Sequence, residues 1–255
     1  MNMNDIIEIL KPSSPTWDGQ YPSIGKKIVK DFSRPSPELV KKFENFFVPA
    51  LVDFIGVLYT MDGSLRPAYS PMPQLLGTAF TVKVPPGDNL MVKKALHMAK
   101  PGDVIVVDAR GQTNWCCGGG GMTVVAKQRG VKGMVIDGAY RDIREIKEIE
   151  FPMFLKGVAP TTGPKRGPGE INVPVCCGGV VVHPGDIIVG DEVEGVVVIP
   201  KQYAELIAGL VEGKADFKKA SEWDWNGIVQ RDTHRDKYFD EVLKARGFEF
   251  VDYEE

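Results

Sequence analysis

Between residues 104 and 155 the chain alternates short apolar runs with amphipathic stretches, and this order restricts the possible folds more than any other feature. Val104 to Asp108, Met134 to Ile136 and Met153 to Leu155 are continuous apolar runs of strand length, as expected of strands buried on both faces. Between them, Gly120 to Arg129, stopped by Gly130, and Asp142 to Ile149 carry helical spacing. Strand, helix, strand, helix, strand is a βαβαβ unit with right-handed crossovers. Downstream, Val180 to Val182, Ile187 to Val189 and Val196 to Ile199 are predicted as a strand meander, because Pro184-Gly185-Asp186 and Asp191 to Gly195 are turn chemistries. Upstream, Phe46 to Val57 predicts a short helix and Gly77 to Val84 a strand; Asn89 to Lys100 predicts an amphipathic helix with Asp88 as its N-cap. The fold class is α/β.

The flanks differ in character. Residues 1 to 45 hold Pro12, Pro15, Pro22, Pro35 and Pro37, which break any long helix, and are predicted as an arm. Residues 46 to 200 form the expected α/β domain, and residues 201 to 255 a C-terminal helical extension containing a polar, aromatic-bearing tail. In a chain of 255 residues with 43% hydrophobic and 25% charged residues, no apolar run approaches the ~20 residues of a membrane span. The first ten residues carry Asp5 and Glu8 and lack a signal-peptide pattern, so a cytoplasmic protein is expected. A net charge of −3 with dispersed lysines and arginines supplies no field for a phosphate backbone, which excludes nucleic acid as an expected partner.

Two places carry chemistry. Gly118-Gly119-Gly120-Gly121 opens the helix that runs to Arg129, so unobstructed N–H groups meet the positive end of a helix dipole and suit a carboxylate or phosphate. No Gly-Lys-Ser/Thr follows, which excludes a Walker A loop. Asp137-Gly138-Ala139-Tyr140-Arg141-Asp142 stands at the carboxyl end of a buried strand, where ligand sites of α/β folds collect. Arg141 can pair with a carboxylate or stabilise an enolate, and Asp142 can bind Mg²⁺. Asp142 with Glu145 also matches the D-x-x-E capping box, which leaves open a purely structural role as N-cap.

The other candidates are weaker. Cys116-Cys117 and Cys176-Cys177 lack the C-x-x-C spacing of zinc sites and read as small buried hydrophobes in a reducing compartment. His97, His183 and His234 share no spacing and read as structural or surface residues. Arg231-Asp232 and Arg235-Asp236 read as solvated ion pairs, and Lys165 and Arg166, in a Gly-Pro-rich loop, as candidates for a crevice mouth.

Several of these motifs together carry a family resemblance. Leu76 to Val82, Asp88-Asn89-Leu90, Pro101 to Asp108, Val135 to Asp142, Gly167 to Val175, Pro184-Gly185-Asp186 and Asp191 to Pro200, in that order, resemble the family of 4-hydroxy-4-methyl-2-oxoglutarate aldolase and the regulator of ribonuclease activity A. The resemblance implies a compact swivelling-type α/β/β domain assembled as a homotrimer or hexamer with sites between subunits. It also implies Mg²⁺- or Mn²⁺-dependent cleavage of a 4-hydroxy-2-oxo acid to pyruvate, with oxaloacetate decarboxylation alongside. Carried onto this sequence, Asp142 would hold the metal, Arg141 would stabilise the enolate oxygen, and the backbone at Gly119, Gly120, Gly121 and Met122 would receive the pyruvyl carboxylate. This chain departs from the aldolases at Gly120, where they are similar in carrying an acidic side chain. Glu212 and Glu222 are candidates for a helper carboxylate from a neighbouring subunit. The alternative implied by the same resemblance is a non-catalytic, ribonuclease-binding protein.

Overall fold

The apolar runs pair side by side in parallel because helices cover them, leaving no face of the central strands for polar residues. The computed structural model describes residues 25–44, 46–212 and 223–250; most of the predicted arm and Glu222 lie outside them. In chain order the elements are α1 (Pro37–Lys41), α2 (Val48–Ile55), β1 (Arg66–Pro67), β2 (Leu75–Lys83), α3 (Leu90–Met98) and β3 (Asp103–Cys116). They continue with α4 (Gly120–Gln128), β4 (Gly133–Tyr140), α5 (Ile143–Glu148), β5 (Met153–Val158), β6 (Glu170–Ile171), β7 (Val175–Cys177) and β8 (Val180–Val182). Last come β9 (Ile187–Asp191), β10 (Gly195–Ile199), α6 (Ala204–Val211) and α7 (Trp225–Ala245).

One mixed sheet has the order β1-β5-β4-β3-β2-β9-β10, with β6 added on β2. Strands β2, β3, β4 and β5 are mutually parallel, so the βαβαβ unit is extended at its start by β2 and α3. Their carboxyl ends therefore lie together, and the four loops that leave them are gathered at one end of the sheet. The meander strands divide. β9 and β10 form an antiparallel pair that joins the sheet through β2, whereas β8 turns back on β7 as a separate two-stranded hairpin.

β3 runs well past the predicted Asp108, with its register to β4 shifting between Asp108 and Gln112 and again between Gln112 and Cys116. Arg110 and Gly111 take positive φ there, so the strand is bulged and delivers its end to the glycine loop.

Two apolar clusters stabilise these layers. The larger one takes in Phe80 and Ile136 on one face of the sheet, Val104, Val106 and Phe154 on the other, and the buried residues of helices α3 to α5. A second joins Leu39 and Phe43 to Leu51, Ile187, Val189, Val197 and the α6 face made by Ala204, Ile207, Ala208 and Val211. That spacing, three to four residues apart, is what makes α6 an amphipathic cover rather than a free tail. Arg34 fixes the preceding segment by a two-pronged ion pair to the buried Asp103.

Residues from Phe217 onward form a separate unit. Its helix α7 starts at Asp224, whose side chain accepts from the Gly227 N–H at 2.9 Å. Among the described residues no helix is long and apolar enough to cross a membrane.

Candidate active site

The two sequence-distant loops meet at the carboxyl ends of β3 and β4. Main-chain bonds stitch them together: Cys117 N–H donates to Ala139 O at 3.0 Å and Arg141 N–H to Gly118 O at 3.3 Å. The approach is so close that side chains are excluded from the glycines. A methyl group on Gly118 would overlap the ring of Tyr140, and one on Gly119 would overlap the Asp142 carboxylate. Tyr140 is fully buried and its hydroxyl donates to the Gly119 carbonyl at 3.3 Å. Burial pushes its ionisation well above the ordinary tyrosine range, so it acts as a neutral strut.

Asp142 occupies the N-cap position of α5, yet its side chain makes no capping bond to that helix, because the residue sits in the left-handed region at φ 60° and points away. The expected capping box is thereby replaced. Asp142 Oδ2 instead accepts from the Gly120 N–H at 2.9 Å, capping the neighbouring helix α4. Arg141 Nε lies 3.5 Å from the same oxygen, while its Nη1 donates to Pro160 O at 3.1 Å. Both side chains remain open to solvent, at 42% and 37% relative exposure, and Asp142 Oδ1 has no partner among the described residues.

These groups line a cleft of about 200 Å³ together with Asn89, Lys93, Gly118, Gly119, Gly121, Met122, Thr162 and Lys165. Of the backbone donors anticipated here, Gly120 N–H is taken by Asp142 and Met122 N–H by the Gly119 carbonyl at 3.0 Å. The donors left for an incoming anion are the Gly119 and Gly121 N–H groups, which have no partner among the described residues. The anion cradle is narrower than the tetraglycine suggests. Gly120 is enclosed: a Cβ there would stand 3.2 Å from the Cβ atoms of both Asp142 and Glu145.

Lys165 does line the cleft, whereas Arg166 is absent from its lining. Asn89 and Lys93 were not anticipated. Four residues apart at the start of α3, they share the face that looks over the end of β2, and a lysine in an amphipathic helix ordinarily marks the solvated side. Asn89 is 3% exposed, and its Oδ1 is buried without a partner among the described residues. An amide in that state, lining a cleft, is suited to a hydrogen bond with a ligand. Three cations, Arg141, Lys93 and Lys165, thus face one carboxylate, Asp142.

A family model described as RraA-like, Aldolase/RraA, matches residues 48–198. The chain belongs to the RraA-like family. Among its RraA-like relatives, a Halalkalibacterium halodurans protein provisionally named 4-hydroxy-4-methyl-2-oxoglutarate aldolase is 39% identical over 74% of this chain and 90% of its own. A Thermus thermophilus protein named 4-hydroxy-4-methyl-2-oxoglutarate aldolase is 33% identical over 45% of this chain and 69% of its own. Among solved RraA-like structures, Streptomyces coelicolor RraAS2, described as an unusual member of the RNase ES inhibitor RraA protein family, superposes with a TM-score of 0.64 at 26% identity. That match covers 72% of this chain and 94% of the other.

The remaining candidates lie elsewhere in this RraA-like fold. Cys116, Cys117 and Cys177 are buried and free, as expected of small hydrophobes, but Cys176 is exposed because it points outward from the β7–β8 hairpin. Burial pushes the Cys117 thiol up to about 12, which makes it inert. His97 is exposed on α3, and His183 is exposed beside Asp186; the His234 side chain lies outside what the structure describes. Glu212 is exposed at the end of α6, and among the described side chains neither it nor His97 nor His183 lines the cleft. Among the described residues no group of three or more His, Cys, Asp or Glu side chains is arranged to hold a metal.

Proposed function

We propose that the cleft cleaves a 4-hydroxy-2-oxo acid to pyruvate, a retro-aldol reaction of the metal-dependent type, and that the same site decarboxylates oxaloacetate. The observation that carries this reading is the convergence of Arg141, Asp142 and the amino end of the glycine helix on one cleft. The names of the aldolase relatives agree with it.

The residues present fit Mg²⁺ or Mn²⁺ in one way only. Asp142 Oδ1 is an unshared hard oxygen, and with no second carboxylate among the described residues that line the cleft the rest of the coordination would come from water and substrate, as Mg²⁺ commonly accepts. Such an ion would act as a Lewis acid on the 2-keto oxygen. The chain supplies the rest. Gly119 and Gly121 N–H groups face the carboxylate beside the keto group, at the positive end of α4. When the C3–C4 bond breaks, its electron pair moves towards the keto oxygen, and the Arg141 guanidinium meets the charge that gathers there. The 4-hydroxyl proton leaves and C3 gains one, giving pyruvate and a carbonyl co-product. Loss of CO₂ from oxaloacetate delivers an electron pair to the same place. Lys93 and Lys165 stand ready for a second carboxylate, which favours dicarboxylic substrates. The same reading puts the chain in a cytoplasmic homotrimer or hexamer, in keeping with the exposed Phe54, Val57 and Leu58 at the end of α2.

The test is coupled pyruvate release from a panel of 4-hydroxy-2-oxo acids and oxaloacetate, with Mg²⁺, with Mn²⁺ and with chelator. Release that requires metal and vanishes in Arg141→Ala is the expected result; no release from any substrate overturns the reading. A second reading, ribonuclease binding without catalysis, is favoured by the likeness to RraAS2 and by Gly120 in place of an acid. It would be supported by inhibition of a ribonuclease E-type enzyme by wild type and Arg141→Ala alike.

A further inference from the structure

Asp88 is a fully buried carboxylate, 0% exposed, that takes no part in the chemistry above. Burying such a group is expensive unless its oxygens are satisfied, and here main-chain donors from two distant segments satisfy them. Oδ1 accepts from Leu90 N–H at 2.8 Å, in the first turn of α3. Oδ2 accepts from Arg166 N–H at 2.8 Å and from Gly167 N–H at 2.9 Å, in the loop between β5 and β6. The expected N-cap position thus falls to Asn89 and not to Asp88, which from one residue earlier accepts from the first helical N–H and is joined to a second segment 78 residues away.

That loop is a strap that lines the cleft with Thr162 and Lys165. Its early part is held by Arg141 Nη1 on Pro160 O and by Cys116 N–H on Thr161 O at 2.8 Å. Further along, Gly163 crosses Gly87 so closely that a Cβ on it would stand 2.6 Å from the Gly87 carbonyl oxygen. Gly169 N–H then bonds to Gly25 O at 2.7 Å. Between residues 163 and 168 the only hydrogen bonds among the described residues are the two to Asp88. Lys165 lies inside that interval, immediately before the first of these donors. Asn89 follows Asp88 directly in sequence, and both Asn89 and Lys165 line the cleft.

We propose that Asp88 is a positioning residue for substrate selection, a buried pin that holds the strap so that Lys165 faces the second carboxylate of a dicarboxylic substrate. The inference rests on the reading of the cleft as a 2-oxo acid site. Asp88 touches neither substrate nor metal and acts through the main chain of residues 166 and 167. Arg141 and Asp142 belong to a different loop, and the bonds of Arg141 to Pro160 O and of Cys116 to Thr161 O hold the early part of the strap independently of Asp88, so the chemical step is left intact when the pin is removed.

The experiment compares wild type, Asp88→Asn, Lys165→Met and the double variant. Asparagine keeps the shape and one acceptor but turns an NH₂ group towards main-chain donors, which frees at least one of them. With oxaloacetate as substrate, Asp88→Asn is expected to raise KM about tenfold and to leave kcat within about threefold. In the Lys165→Met background the same change should alter KM less than about twofold, because its effect runs through that lysine. Hydrogen exchange at the Arg166 and Gly167 amides should accelerate in Asp88→Asn while exchange in β3 and β4 stays as in wild type. Additive effects on KM, a fall in kcat alone, unchanged exchange at 166 and 167, or loss of the thermal transition in Asp88→Asn would each overturn the proposal. Should wild type turn over no 2-oxo acid at all, the catalytic reading fails and the exchange measurement alone decides whether Asp88 pins the strap.

Discussion

The Asp142 carboxylate lies 2.9 Å from the amide nitrogen of Gly120 and so caps a helix other than its own. This one contact joins the metal-binding candidate to the amino end of α4, where an anionic substrate would dock. It also separates two properties that substitution can pull apart.

Asp142→Asn retains an oxygen able to accept from Gly120 N–H but loses the negative charge. Its melting temperature should stay within a few degrees of wild type while metal-dependent pyruvate release is abolished. Asp142→Ala removes both and should in addition lose about 1 kcal/mol of stability. Thermal melts beside the coupled assay check both, and equal melting temperatures for the two variants would count against the cap.

The four glycines are not equivalent. A Cβ on Gly121 meets nothing within 4 Å, so Gly121→Ala should fold and gain about 0.5 kcal/mol from reduced freedom of the unfolded chain. Gly118→Ala and Gly119→Ala should both fall well below wild type in urea midpoint, because the added methyl groups have Tyr140 and Asp142 in their way. Urea titrations of the three variants decide the order.

Gly120→Asp restores an acid at the enclosed position beside Asp142 and Glu145. Without metal the added charge should destabilise the fold, since three carboxylates would then crowd one corner. With millimolar Mg²⁺ the melting temperature should recover and rise further than that of wild type, by linkage to ion binding. A melting temperature indifferent to Mg²⁺ in the variant would refute this.

A pH-dependent contribution is expected from Lys156, which is 2.8 Å from Asp137 and 3.5 Å from Asp62. Burial alone would depress the ammonium, but the hydrogen bond and charge of Asp137, reinforced by Asp62, outweigh it and hold the group above its ordinary value of 10.5. A raised lysine contributes stability that is fully present below 10.5 and is lost as pH climbs through the higher folded value. Lys156→Met should therefore lose roughly 3 kcal/mol at neutral pH, with Asp137 left buried and uncompensated. The gap between the two urea midpoints should narrow as pH climbs beyond 10.5 and through the raised folded value, since deprotonation removes the same charge from wild type.

The strands and helices from Val104 to Leu155 are legible in the sequence because each is a local pattern of apolar spacing that burial on both faces enforces. The long, bulged course of β3 is not, since its register shifts answer to β4 and leave no periodic trace. Strand β8 itself is predicted, yet it pairs with β7, its neighbour across the Gly178-Gly179 turn, and not with the β9 that the expected meander would supply. At the cleft, Arg141 and Asp142 can be nominated from their place after a buried strand. The redirection of Asp142 cannot, because a capping box is a local motif, whereas the bond that takes its carboxylate is to Gly120, 22 residues away, from a left-handed backbone that the motif does not record. Lys93 is masked by the ordinary meaning of a lysine on an amphipathic helix. Asp88 is legible for its nearest donor, while the donors at Arg166 and Gly167 depend on a chain crossing that no short window of sequence records.

The cleft is built in two unlike halves. One wall, around Gly118, Gly119 and the main chain of Arg141, leaves no room for a single added carbon at the two glycines, so it has almost no freedom to vary. The rest of the lining includes the side chains of Lys93, Met122, Thr162 and Lys165, contributed by three separate elements, with both lysines exposed and the other two half-buried. A few surface replacements on the lysine side can therefore change which small ligands such a cleft admits, while the glycine side has to pass to descendants unaltered.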